Sequence, residues 1–86
     1  MAKDYSYLVE ILITKMFELA GHQVSYKELM QREDDWYNQY TITEDQQEEW
    51  IKFGVDIIRK EMKIPKYKAE REMGMVLVNW GLKCEK

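Results

Sequence analysis

The chain has 86 residues, of which 45% are hydrophobic and 34% are charged, with one proline and one cysteine. A chain of this length supports one small core, so we expect residues 1–86 to form a single domain. The longest run of apolar residues and glycine, 73–78, is far shorter than the roughly 20 residues of a transmembrane helix. Mean hydropathy is -0.62. These features exclude a membrane-spanning helix, and we expect a soluble protein.

The two ends of the chain bear on its compartment. Residues 1–7 place an acid early and are followed by no small-residue cleavage site, which is not typical of a secretory signal. The lone Cys84 has no second cysteine with which to form a disulfide within the chain. We therefore expect a reducing, cytoplasmic location.

The first predicted helix covers residues 5–20. Its polar side chains gather on one side, and its apolar side chains cover roughly 240° of the helix circumference. Such a wide apolar face predicts more than one packing partner, and Gly21 is placed to end the helix in the left-handed conformation.

The second predicted helix covers residues 25–33. Ser25 and Glu28 form an S-x-x-E capping box, and Val24 is placed to contact Leu29. A helix carries a partial negative charge at its C-terminal end, which would repel the acidic residues that follow from Glu33 onward if the helix ended beside them. We expect an irregular segment at 33–41.

Two longer helices are predicted over residues 43–62 and 65–80. Thr43 and Gln46 form a capping box, and Pro65 suits the first turn of a helix. The apolar run 73–78 is compatible with helix or strand, but no second strand-like run is present, which favours helix. Gly54 and Gly74 inside these helices indicate close helix-helix approach. The predicted fold is an all-α bundle of about four helices.

Charge is segregated along the chain although its net value is only -3. Residues 27–49 carry eight acids against two bases, whereas residues 59–71 carry six bases against two acids. Segregated charge bears on the choice of partner more than net charge does.

The residues offer little for catalysis. A nucleophile and base would have to come from His22 with Cys84, Ser6 or Ser25, and Ser25 is already explained as a helix cap. No cysteine and histidine spacing fits zinc, the acidic run lacks a calcium-loop pattern, and the four isolated glycines form no phosphate loop. We expect no enzyme activity, no metal and no cofactor.

A candidate partner-binding site lies in the acidic middle of the chain. Three aromatic residues follow an acidic run there, and aromatic side chains of this kind are common both in cores beside turns and in binding hot spots. The sequence is compatible with packing of these aromatic side chains in the core and with their contact with a partner, and the two roles do not exclude each other. The candidate residues are Asp34, Asp35, Trp36, Tyr37 and Tyr40.

An alternative site for nucleic acid lies around Pro65, where lysines precede and begin the fourth helix and Tyr67 is interleaved among them. Against this interpretation, acids interrupt the run and the isoelectric point is about 5.2, so a solvated, salt-bridged face also fits. The candidate residues are Lys60, Lys63, Lys66, Lys68 and Arg71.

Several short motifs carry a resemblance to a known group of proteins. They are Asp35-Trp36-Tyr37, Thr43-x-x-Gln46-x-x-x-Trp50, Ala69-x-x-x-Met73 and Trp80-Gly81-Leu82-Lys83. With them, residues 35–83 resemble small uncharacterised proteins encoded by bacteriophages. The resemblance implies a viral protein made in the bacterial cytosol, and it carries over no functional residue.

The leading functional hypothesis is a non-enzymatic protein that binds a protein partner through the acidic, aromatic middle segment and so inhibits or modifies a host process. The first alternative is a nucleic-acid-binding module that uses the basic start of the fourth helix. The second is a self-associating structural component, in which the wide apolar face of the first helix is covered by another copy.

Overall fold

Four helices and two short strands make up the computed structural model, which describes residues 5–22, 25–31 and 40–85. The elements are α1 (Ser6–Leu19), α2 (Tyr26–Gln31), β1 (Thr41–Ile42), α3 (Glu44–Met62), α4 (Lys66–Trp80) and β2 (Lys83–Cys84). The predicted all-α bundle is confirmed, and the short β1–β2 pair is an addition that the sequence analysis missed.

The helix boundaries agree with the predicted ones to within one residue wherever both ends are described. Thr43, predicted as the cap of a capping box, and Pro65, predicted in the first turn of a helix, are the N-caps of α3 and α4 and have extended backbone angles. The uncertain run 73–78 is helical and belongs to α4. Of the predicted irregular segment, only Tyr40 and Thr41 are described, and Thr41 begins β1.

Local hydrogen bonds explain where the helices begin. The Thr43 hydroxyl accepts from the Gln46 N–H at 3.1 Å, and the Gln46 side chain accepts from the Thr43 N–H at 2.9 Å. The Ser25 hydroxyl accepts from the Glu28 N–H at 3.1 Å. The α3 capping box is therefore confirmed, and the Ser25 cap is present, whereas Val24 lies outside the described residues. Beyond α1, Gly21 adopts the left-handed backbone that its position predicts, with φ 85°.

Helix α3 is central, since both α1 and α4 pack against it. Trp50 of α3 is fully buried between them. The other members of the main core cluster come from α1, α3 and α4 and from both strand regions, and Tyr26 of α2 packs against this cluster. They are Leu12, Ile13, Met16, Phe17, Ile42, Val55, Ile58, Ala69, Met73 and Leu82. Because the core is built from segments that are far apart in the sequence, the stability of each of these helices depends on the helices that pack against it.

The two helical glycines differ in their surroundings. A Cβ atom built on Gly54 would lie 2.6 Å from Met73 Cε and 3.2 Å from Leu12 Cδ2, so Gly54 permits the close approach of α1 and α4 to α3. A Cβ atom on Gly74 would meet nothing within 4 Å. The prediction of close helix packing is confirmed at Gly54 and is wrong at Gly74 for the described part of the chain, because Gly74 faces outward.

The strands β1 and β2 pair in parallel, with Thr41 opposite Lys83 and Ile42 opposite Cys84. The Glu85 N–H extends the ladder by donating to the Ile42 carbonyl oxygen at 2.8 Å. This pairing brings the backbone after α4 beside the backbone before α3 and places Leu82 in the core.

Candidate functional site

Most of the acidic, aromatic site predicted in the middle of the chain lies outside the described residues. These are Asp34, Asp35, Trp36 and Tyr37. The fifth residue, Tyr40, is half-buried, and its ring makes edge-on contacts with Phe17 and His22 at centroid distances of 5.1 and 4.6 Å. These contacts give Tyr40 a packing role beside α1, and its predicted contact with a partner stays a prediction.

The side chains considered for catalysis have separate structural settings. His22 packs against Phe17 and Tyr40, Ser25 caps α2, and Cys84 is a half-buried free thiol in β2. Within residues 5–22, 25–31 and 40–85, no group of three His, Cys, Asp or Glu side chains is arranged to hold a metal ion.

The five residues of the alternative nucleic-acid site, called here the basic cluster, are all described and all exposed. Lys60 belongs to the last turn of α3, and Lys63 follows it in the left-handed conformation with φ 55°. Lys66, Lys68 and Arg71 belong to the first half of α4. The five residues therefore extend over the last turn of α3, the connection and the first half of α4.

Ion pairing leaves most of the basic cluster available. Lys60 Nζ lies 3.1 Å from a carboxylate oxygen of Asp56. The other four members have no carboxylate of a described residue within 4.0 Å. Among the described residues, a salt-bridged face therefore applies to Lys60 alone.

Helix α3 separates the two charged regions in space. Glu44, Asp45, Glu48 and Glu49 lie in its first two turns, whereas Arg59 and Lys60 lie in its last turn. At 1.5 Å per residue, the two groups are roughly 20 Å apart along the helix axis. The acidic and basic regions consequently do not neutralise each other along α3.

A second outward-facing surface lies on α4. Tyr67, Arg71, Met75 and Val78 follow one another at helical spacing on the side opposite the buried Ala69 and Met73. The exposed fractions are 63% for Tyr67, 60% for Met75 and 84% for Val78. We call these four residues the α4 ridge.

The sequence contained a signal for this ridge. Helix α4 is apolar on more positions than a single core-facing stripe accommodates, and such a helix has either a second packing partner or an exposed apolar face. The prediction of a helix over residues 65–80 does not say which side of it faces the core, and the sequence places Tyr67 only among the lysines around Pro65.

A shallow groove of about 380 Å³ lies between α1 and α3. We call it the α1 groove, and its lining residues are Glu10, Ile11, Thr14, Lys15, Glu18 and Phe53. Lys15 Nζ lies 5.3 Å from the centre of the Phe53 ring and 3.4 Å from a Glu18 carboxylate oxygen. Ile11 remains 37% exposed, so part of the wide apolar face of α1 is uncovered.

Tyr7 lies one helical turn before Ile11 and is partly exposed. Its hydroxyl donates to Glu61 Oε2 at 3.3 Å. The pKa of Tyr7 is raised above its ordinary value, first by partial desolvation and then by the nearby Glu61 carboxylate, since both disfavour the phenolate. This contact joins α1 to the end of α3.

In the described ranges, every helix is too short or too polar to cross a membrane. Comparison with protein-family models, with curated proteins and with solved structures finds no significant match for this chain.

Proposed function

We propose that this protein catalyses no reaction and acts by binding another protein, with the α4 ridge as its contact surface. The observation that carries the proposal is the exposure of three large apolar side chains along one side of a single helix. Exposed apolar patches of this kind mark protein-protein contacts, and Tyr, Met and Arg are enriched in such contacts.

The position of the α4 ridge supports this role. The opposite side of α4 carries Ala69 and Met73, which are already buried in the core. A partner therefore covers the ridge without rearranging the fold. Gly74 lies beside the ridge with open space where a side chain would be, so a partner backbone can approach α4 closely there.

The acidic, aromatic segment remains part of the proposal as a second contact region. Trp36 and Tyr37 are aromatic side chains of the kind found in binding hot spots. The proposed setting, a bacterial cytosol in which the protein inhibits or modifies a host process, depends on the resemblance of residues 35–83 to bacteriophage proteins. It is independent of the ridge.

Site-specific cross-linking tests the proposed contact surface. A photo-reactive amino acid replaces Met75 in the protein expressed in bacteria, and the matched control carries it at Lys52, an exposed position of α3. We expect covalent adducts to another polypeptide from position 75, fewer from position 52, and loss of the position-75 adducts on adding Val78→Asp. Equal labelling from both positions, or no adducts from position 75, would contradict the proposal.

The basic cluster favours a second candidate function, binding of nucleic acid. Four exposed cations of this cluster have no ion pair with a described residue, and the exposed Tyr67 lies in the same part of the chain, a combination that suits phosphates and a stacked base. This candidate predicts a gel shift with DNA or RNA at low salt that weakens steeply as salt rises. It is contradicted if Lys66→Ala with Lys68→Ala binds as well as Lys27→Ala with Lys52→Ala, an equal loss of charge elsewhere.

A further inference from the structure

We infer that the partner of the α4 ridge is a second copy of this chain, which receives the ridge in its α1 groove. This inference rests on the proposed function, because it names the occupant of the same ridge. It commits to a directed contact in which the ridge of one copy meets the groove of the next.

The two surfaces are complementary in shape. The ridge is convex and presents Tyr67, Met75 and Val78, whereas the groove is concave and has Ile11 and Phe53 in its lining. From Tyr67 to Val78 the ridge is about 17 Å long, and from Glu10 to Glu18 the groove is about 12 Å long, at 1.5 Å per residue. A helix lying along the groove would cover its apolar lining and bury the part of the ridge, about 12 Å long, that the groove spans.

The two surfaces are also complementary in charge. Glu10 at the edge of the groove and Arg71 in the middle of the ridge each have no ion-pair partner among the described residues. The groove contains two carboxylates against Lys15, which already contacts Glu18. Residues 66–72 of α4 carry three bases against two acids, and Arg71 is the charged member of the ridge. A contact between copies would pair Arg71 with Glu10.

The arrangement within one chain makes the contact head-to-tail. The ridge belongs to α4 and the groove to α1 and α3, and the two share no residue. A copy whose ridge is occupied therefore keeps a free groove. Contacts of this heterologous type form open chains or rings, unlike the closed pair made by a two-fold interface.

The size of the surfaces sets the strength of the contact. Four ridge side chains cover less than the roughly 800 Å² per partner of a stable complex. We expect reversible association whose extent depends on concentration. Electrostatic pairing of Arg71 with Glu10 should also make the association weaker at high salt.

Complementation between two disabled chains tests the inference. Val78→Asp disables the ridge and Thr14→Arg disables the groove. Both side chains are exposed, so we expect both variants to fold, which circular dichroism checks. Gln31→Asp and Glu48→Arg are controls with the same introduced side chains on exposed positions outside both surfaces. Weight-average mass is measured by sedimentation from about 10 μM to about 1 mM, a range suited to weak contacts.

We expect the wild-type protein and both controls to exceed the 10.5 kDa of one chain as concentration rises, and each disabled variant to remain a monomer. An equimolar mixture of the two variants should recover association, because one intact ridge and one intact groove remain. The mass of the associated species in this mixture should not exceed that of two chains, because the pair has a disabled ridge on one chain and a disabled groove on the other.

Three results would overturn the inference. The first is a wild-type protein that stays monomeric at every concentration. If the photo-reactive residue at position 75 still cross-links to a different protein in that case, the proposed function survives with another partner. Association lost with Val78→Asp but kept with Thr14→Arg would indicate a symmetric ridge-to-ridge contact. A mixture that stays monomeric would show that the groove does not receive the ridge.

Discussion

The indole N–H of Trp50 donates a hydrogen bond of 2.7 Å to the backbone carbonyl oxygen of Leu12. The bond joins α3 to α1 across 38 positions of the chain, and both side chains are almost completely buried. Trp50 therefore contributes both apolar burial and a directed polar contact, which fixes how the two helices lie against each other.

Replacing Trp50 by Phe keeps an aromatic ring but removes the N–H donor and part of the ring volume. We expect the free energy of unfolding to fall by about 2 kcal/mol, and by about 4 kcal/mol for Trp50→Ala. Urea unfolding followed by circular dichroism measures both values. Tyr67→Phe, at an exposed aromatic position, is the control and should change stability by less than about 0.5 kcal/mol. Equal stability of Trp50→Phe and the wild type would contradict a structural role for the hydrogen bond.

Gly54 and Gly74 provide the same substitution in two surroundings. Alanine at position 74 meets open space and gains helix propensity, so we expect stabilisation of about 0.5–1 kcal/mol. Alanine at position 54 meets the buried Met73 side chain, and we expect the overpacking to outweigh that gain and destabilise the protein by about 1 kcal/mol. Thermal unfolding of the two variants gives the comparison. Stabilisation by Gly54→Ala would show that Met73 moves aside at little cost.

The α3 capping box should contribute to stability through Thr43. Thr43→Ala leaves the Gln46 N–H without its acceptor, and we expect a loss of about 1 kcal/mol. Thr43→Ser keeps the hydroxyl and should recover most of the loss. Thr14→Ala, at an exposed position within α1, controls for the substitution itself. If Thr43→Ala and Thr14→Ala have equal effects, the cap does not stabilise α3.

The raised pKa of Tyr7 predicts a pH dependence. The folded protein favours the neutral phenol, because folding raises the pKa of Tyr7. The neutral Tyr7 therefore contributes fully to stability below about pH 10, the ordinary pKa of tyrosine, and this contribution is lost as pH rises through the folded-state pKa. The difference in near-ultraviolet titration between wild type and Tyr7→Phe isolates this phenol. We expect it to ionise above the pKa of the unfolded chain. Glu61→Gln should lower the pKa of Tyr7, and no change on that substitution would contradict the assigned contact.

Local signals predicted the helices well. The Thr43 and Gln46 pair marked the start of α3, and Gly21 marked the end of α1, because capping depends on residues a few positions apart. The strands were not predicted, since two residues show no periodicity and each strand exists only because the other lies beside it.

The candidate surfaces were predicted in part. The basic cluster follows from the sequence because its members are close together along the chain. That only Lys60 among them has an ion pair with a described residue required the positions of the carboxylates. The α4 ridge was not predicted, because which side of α4 faces the core depends on where Gly54 and Met73 meet.

The parallel pairing of β1 with β2 has a consequence for cooperativity. The two strands hold together the beginning and the end of the α3–α4 hairpin, so neither helix can separate from the other while the ladder is intact. Opening the ladder exposes Ile42 and Leu82 and removes two core residues at once. We expect the Glu85 amide, which donates to Ile42, to exchange its hydrogen with solvent through the same opening that unfolds the core.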